Sequence, residues 1–474
     1  MERAEAEAIY DAGRDAVVDV LLALSAQVAE ATSLAARAIA RIEDLEAQVA
    51  RLKGRSSRNS SLPPSQDPPG TPPRPSRGKG SRKRGGQSGH QGSYRKRYPP
   101  EQVDETVDVF PEACSCGCML AQEPAGVPRP HQVVDIPPVT AHVSEYRLHT
   151  VVCPACRKRV KAKLPTGVSE SAFGASVHGF CAMLASRLRA SREQIQIMLK
   201  DMLDIRVSVG AVDEILRRQG EALAEPYQQA LDHVRGSPSV NVDETGWRDG
   251  GWVWGAFTPD VAVYRIDPER SAAAAVRLLG SDHPGVVTSD RHGAYNSYQR
   301  RQVCWPHIQR NIAGLALKSK GAAVAAPVLD GVCNDVFAHW RAYQADGDRS
   351  ALIERIDPLS QRVDVLLAAG TASTDKFVAR FCRGLDRDAA HLWTFATVDG
   401  VEPSNNHAER QLRPAVIHRK VCGATHTDPG HRAFERILTA TQTCRLQGKS
   451  ALHYLTDAID AHWHGRPAPS LLPN

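Results

Sequence analysis

A mixed α/β domain interrupted by a block of helices is the fold the sequence predicts for its second half. Three observations carry it. "SVNVDETGW", "GWVWGAF" and "VAVYRI" read as short strands separated by turn residues. "SAAAAVRLLG" then reads as a helix, "GVVTSD" as a strand and "CWPHIQRNIAGLAL" as a strand end entering a helix, an order that suits a mixed sheet. Residues 311–400 turn mostly helical, as an insertion would. The chain has 474 residues, too many for one ordinary core, so several domains are expected.

The first expected element is a helix within residues 1–53. Val17, Leu21, Leu24, Val28, Ala31, Ala35, Ala38, Ile42, Leu45, Val49 and Leu52 recur at steps of three and four, and Gly54 stops the run. That pattern suits an N-terminal coiled coil pairing two protomers, or one amphipathic helix packed on its own chain. Residues 54–105 form a Pro-, Gly- and Ser-rich linker with many arginines and lysines. It could follow DNA phosphates or serve only as an extended spacer.

Residues 106–165 hold Cys114, Cys116 and Cys118, then Cys153 and Cys156 in "CPAC". A small β module closed by one tetrahedral Zn2+ on Cys114, Cys116, Cys153 and Cys156 is expected, with buried free thiols as the other reading. "HQVVDIPPVTAHVSEYRLHTVV", between the two cysteine groups, reads as β-strands. Residues 166–236 read as helical. Ser208 is a candidate N-cap between two of these helices, so the pair is either a helix-turn-helix DNA-binding segment or a plain connector. The sheet domain spans 237–430, with its helical insertion at about 311–400, and 431–474 is a helical C-terminal segment.

The net charge of +6 and pI near 8.7 favour polyanionic partners mildly. The opening "MERAEAEAIYDAG" has no apolar core of a signal peptide, and no uncharged apolar run has the length of a membrane span. A cytoplasmic, nucleoid-associated protein with no membrane partner is expected, and disulfides are not.

Three carboxylates stand out. Asp243 alternates with Val240 and Val242, so it points away from the valine face, and Glu244 points the opposite way. Asp290 ends a strand ahead of a Gly-containing loop, exposed on a fixed backbone. Glu409 is the acid of "PSNNHAERQLRP", among Arg410, Arg413, His418, Arg419 and Lys420. One reading makes Asn406 an N-cap and Glu409 the N3 member of a capping box. Trp247, Trp252 and Trp254 could stack on bases, with core packing the default.

In this order, "NVDETGWR", "TSDRHGAY", "CWPHIQRN" and "SNNHAERQLRP" resemble the insertion sequence 66 family of bacterial transposases. "NSSLPPSQDPP" and "GGQSGHQG" are similar to that family's N-terminal segments. The resemblance covers nearly the whole chain. It implies a ribonuclease H-like catalytic domain with a DDE site of Asp243, Asp290 and Glu409 binding Mg2+ or Mn2+. It implies metal-assisted cutting of element ends and joining of the 3′-OH to target DNA. Terminal repeats and target DNA would be the partners of a homo-oligomer, with small accessory proteins from the same element. Arg410, Arg413 and Arg310 would contact DNA. His307 would contact a phosphate or position a catalytic group, or else be a core histidine beside Cys304 and Trp305. Two positions depart from the family pattern: the spacing of Cys114 and Cys116 is short, and Asn311 stands where a second arginine is expected. The alternative from another class is a non-catalytic, zinc-containing DNA-binding regulator derived from a transposase. It predicts acids that lie apart or are tied up in caps and salt bridges.

Overall fold

The computed structural model describes residues 10–53, 95–247 and 251–473. They divide into two units, one of Pro72–Glu145 with Met198–Arg206, the other of Met1–Thr71, Tyr146–Ile197 and Val207–Asn474. Most of the expected linker, residues 54–94, lies outside the described residues.

Helix α1 (Arg14–Lys53) is one continuous run of 40 residues. Its Leu21, Val28 and Ile42 are exposed. The hairpin of β1 (Thr150–Val152) and β2 (Arg159–Lys161) carries the turn with Cys153 and Cys156. Residues 131–149, expected as strands, pair with nothing in a sheet. Pro137 and Pro138 remove two consecutive backbone donors there, so a regular ladder cannot form through them. Next come α2 (Ala175–Met183), a π-helical turn (Leu184–Leu188), α3 (Arg192–Leu203), α4 (Val209–Ala222) and α5 (Ala224–Arg235). Ser208 caps α4 as expected, its hydroxyl accepting the Ala211 N–H at 3.1 Å.

The sheet comprises β3 (Ser239–Gly246), β4 (Trp252–Phe257), β5 (Ala262–Asp267), β6 (Val286–Ser289) and β7 (Arg301–Val303), with α6 (Ala272–Leu279) between β5 and β6. Its spatial order is β5-β4-β3-β6-β7. β4 runs antiparallel to both its neighbours, whereas β3, β6 and β7 run parallel. Alternation along β3 works as the sequence implies: Val240, Val242 and Glu244 are buried on one face, and Asn241 and Asp243 are half-buried on the other.

The helical insertion follows as α7 (Trp305–Leu315), α8 (Lys320–Asp346), α9 (Arg349–Thr371), α10 (Lys376–Asp386) and the single turn α11 (Thr394–Thr397). Ile308, Val332, Leu359 and Leu385 belong to its shared core. The chain then returns to the sheet with α12 (Asn406–Val421), α13 (Asp428–Leu446) and α14 (Ala451–Trp463). Ala408, Leu412 and Ala415 of α12 pack with Phe257 and Tyr264 of β4 and β5.

Both margins of the sheet are covered. Along β5, the backbone N–H groups of Ile266, Tyr264 and Ala262 donate to Glu435 Oε1 (2.6 Å), Thr439 Oγ1 (3.1 Å) and Thr443 Oγ1 (3.1 Å) of α13. The match is geometric. Four helical residues rise about 6 Å and two strand residues about 6.6 Å, so side chains every fourth position meet every second amide. Along β7, Thr394 Oγ1 donates to the Arg301 carbonyl at 2.6 Å, and Gln302 Oε1 accepts the Phe395 N–H at 2.8 Å.

Two helical stretches reach the length and apolarity of a membrane span, Val17–Ile39 and Lys320–Asp346. The first carries Asp19, Glu30 and Arg37. The second packs Ala322, Leu329 and Val336 into the insertion's core. Of the three tryptophans singled out, Trp252 is half-buried with the Arg270 guanidinium 4.8 Å over its ring, and the other two are packed. Trp254 is fully buried, and Trp247 lies against His418 and Phe434.

Candidate active site

Strand register brings the first two acids together. In the parallel pairing of β3 with β6, Asn241 stands opposite Thr288. Asp243 and Asp290 each lie two residues beyond that pair, so both sit at one level and on one face. Neighbouring strands are about 4.8 Å apart, close enough for the carboxylates to feel each other. Directly across from Asp243 on β4 is Gly255. A Cβ there would collide with the ring of Phe257.

Asp243 Oδ1 accepts only the N–H of its neighbour Glu244, at 2.9 Å, among the described residues. Burial holds its carboxyl well above the ordinary range, and the charges of Glu244, Asp290 and Glu409 add to that. Asp290 Oδ1 accepts the His292 N–H at 2.8 Å, which fixes the loop after β6. Its carboxyl is raised too, first by burial and then by Glu244.

Glu409 enters from α12, in the first turn of the helix. The helix N-cap is Asn405 rather than Asn406, so Glu409 stands at N4 and the capping box does not form. Its carboxylate points to α7, where Arg310 Nη2 donates to Oε1 at 2.8 Å and His307 Nε2 lies at 3.5 Å. His307 is half-buried and feels the charges of both Asp290 and Glu409. Burial lowers the His307 imidazole, Arg310 adds to that, and the two acids oppose it. The neighbours Cys304 and Trp305 are buried as expected. Arg310 pairs with Glu409. Arg410 and Arg413 are exposed and make no ion pair among the described residues.

Glu244 belongs to the opposite face. Arg270 Nε and Nη2 donate to its Oε1 at 2.8 and 2.6 Å, and the Tyr295 hydroxyl donates to its Oε2. A second tie lies just past Asp290: Arg291 Nε donates to Asp388 Oδ2 of the insertion at 2.8 Å. Sequence reading missed Arg270, Tyr295, Asp388 and Asn405, since each acts through partners distant along the chain.

The cysteines form two separate turns. Cys114 and Cys116 share one, where the Cys114 N–H donates to the Cys118 carbonyl at 2.9 Å. Cys153 and Cys156 share the other, with the Cys153 N–H on the Lys158 carbonyl at 2.8 Å. Backbone N–H groups within the turns lower the Cys114 and Cys153 thiols. Cys114 and Cys116 belong to one of the two units, Cys153 and Cys156 to the other. Among the described residues no three His, Cys, Asp or Glu side chains are gathered closely enough to hold a metal ion. The donor chemistry of Asp243, Asp290 and Glu409 does suit a hard divalent cation: three carboxylates, of which Asp243 and Asp290 have no cationic hydrogen-bond partner.

A mixed five-stranded sheet interrupted by a block of helices fits a domain of the transposase class. A model of the transposase IS66 family matches residues 188–433, from the end of the π-helical turn into the start of α13, and the chain belongs to that family. A second model, of a family of unknown function, matches residues 4–96. Two relatives from Sinorhizobium fredii are both described as uncharacterized. Protein y4qI is 23% identical over 316 residues, covering 59% of this chain and 57% of the relative. Protein y4jO is 26% identical over 211 residues, covering 42% of this chain and 60% of the relative. The chain therefore spans less than two thirds of the length of either relative.

Proposed function

We propose that this chain cuts the ends of an insertion sequence and joins the freed 3′-OH to target DNA, with Asp243, Asp290 and Glu409 as its three acids. The observation that carries this reading is the β3–β6 register. It sets Asp243 and Asp290 at one level, where burial raises both carboxyls and nearby acids add to it, Glu244, Asp290 and Glu409 at Asp243 and Glu244 at Asp290. The strand order β5-β4-β3-β6-β7, with β4 alone antiparallel, supports a ribonuclease H-like domain.

Asp243, Asp290 and Glu409 would hold Mg2+ or Mn2+, which when bound supplies charge to activate an attacking hydroxyl and stabilise a leaving oxygen. The chain's own residues do the rest. β3 and the His292 N–H hold the two aspartates on fixed backbone. Arg310 and His307 hold Glu409 in place. Arg410 and Arg413, exposed one and four residues beyond Glu409, engage DNA phosphates. The exposed apolar stripe of α1 supports pairing of two copies through a coiled coil. The cysteine turns would bind structural Zn2+, which elemental analysis of the purified chain tests.

One observation favours the regulator reading instead: Glu409 is tied to Arg310 by an ion pair. Purified protein incubated with DNA carrying the ends of its own element decides between them. Nicking and strand transfer in Mg2+ or Mn2+, lost in both Asp243→Ala and Glu409→Ala, is expected. End binding without cutting, even with the element's accessory proteins added, would sink the proposal.

A further inference from the structure

Asn405 occupies the position where an asparagine ordinarily caps a helix, yet its side chain makes no cap hydrogen bond. The side chain is fully buried. Its Nδ2 donates to the Val242 carbonyl at 2.7 Å, and its Oδ1 accepts from Asn241 Nδ2 at 3.0 Å. Both partners belong to β3 and directly precede Asp243. The pairing of β3 with β6 ends at Asn241, so the Val242 carbonyl lies just past the last paired residue. The Asn405 backbone N–H donates to Cys304 Sγ at 3.1 Å, at the start of the helix that carries His307 and Arg310. Its carbonyl accepts the Glu409 N–H at 3.2 Å. A neighbouring bond, the Trp305 N–H to the Pro403 carbonyl at 2.9 Å, fastens the same junction.

One residue thus joins the strand of Asp243, the helix of Glu409 and the helix of His307. We propose that Asn405 is a positioning residue that sets the separation of Asp243 and Glu409, and with it the affinity of the acid cluster for a divalent cation. The inference rests on the three-acid reading above. The amide is required because the site needs one donor and one acceptor in a single plane. Aspartate would lose the donor to Val242 and add a like charge beside Asp243. Glutamine is one methylene too long for a buried position of fixed partners.

The test uses the full chain and Mn2+. Thermal unfolding with increasing Mn2+, and cleavage of element-end DNA at the same concentrations, are followed for wild type, Asp243→Ala, Asn405→Ala and Asn241→Ala. Wild type should gain thermal stability with Mn2+, and Asp243→Ala should not. Asn405→Ala should fold and bind DNA, but need about tenfold more Mn2+ for half its effect on both readouts, the usual scale for a group that orients metal ligands. A lower unfolding temperature with an unchanged Mn2+ midpoint would make Asn405 merely structural and overturn the proposal. Should Asn405→Ala fail to fold, Asn241→Ala decides in the same way, since it removes only the bond to Oδ1. A Mn2+ response in Asp243→Ala equal to wild type would instead overturn the three-acid reading itself.

Discussion

Asp243 and Glu244 are adjacent on one strand and could hardly be held more differently. Glu244 is 1% exposed and saturated by Arg270 and Tyr295. Asp243 accepts a single backbone N–H among the described residues, and the charges of Glu244, Asp290 and Glu409 work against its ionisation. The chemistry of the two side chains is nearly the same. What separates them is the two-residue period of a strand, which sends one into a built ion pair and leaves the other facing Asp290. A paired buried acid holds a fold together; an unpaired one stores electrostatic repulsion that a cation can relieve.

The largest effect that could break this contrast is on activity. Asp243→Asn should lower end cleavage by about a thousandfold or more, the scale of removing a group that stabilises transition-state charge. Its thermal stability at neutral pH should stay level or rise. The Asp243 carboxyl is raised in the folded state, so its stabilising contribution exists at low pH and is lost as pH climbs through the folded value. Calorimetry at pH 7 beside a cleavage assay checks both halves.

Glu244→Ala should do the reverse. It removes the hydrogen bonds that a buried carboxylate accepts from the part-exposed Arg270 and from Tyr295, and should cost about 1–3 kcal/mol in denaturant unfolding. Any residual activity should be lost only through unfolding.

Glu435 stands between these extremes, with one backbone N–H and one half-exposed arginine. Burial pushes its carboxyl from 4.5 up to about 7. Its contribution to stability is therefore complete below pH 4.5 and is lost as pH rises through 7. Glu435→Gln should flatten that fall and leave the variant more stable than wild type above pH 7, by about 1–3 kcal/mol. Unfolding midpoints measured from pH 4 to 8 would show it. At the small end, Arg362 and Asp335 form an exposed pair at 3.2 Å in the insertion. Arg362→Ala should change stability by less than about 0.5 kcal/mol.

Much of the sheet was legible because each strand carries its own signal. Alternation in "SVNVDETG" placed Asp243 and Glu244 on opposite faces, and the apolar run into Asp290 marked a strand end. What was not legible depended on partners far along the chain. "NNHAE" satisfies a local capping rule, but the N-cap is Asn405, whose side chain is bound to β3, so the helix starts one residue earlier than that rule requires and Glu409 falls at N4. Arg310, proposed from sequence for DNA, is on the right helix but faces Glu409. Residues 131–149 have the composition of strands and no pairing partner among the described residues, which composition cannot report.

The cover along β5 has a consequence in time. Ile266, Tyr264 and Ala262 wait for Glu435, Thr439 and Thr443, which come 169, 175 and 181 residues later. At ordinary synthesis rates that gap is on the order of ten to thirty seconds. Throughout it a growing chain carries a bare strand margin able to recruit any extended neighbour. A copy of the gene truncated before α13 would never close it, and its product should aggregate rather than persist as a soluble competitor of the full-length protein.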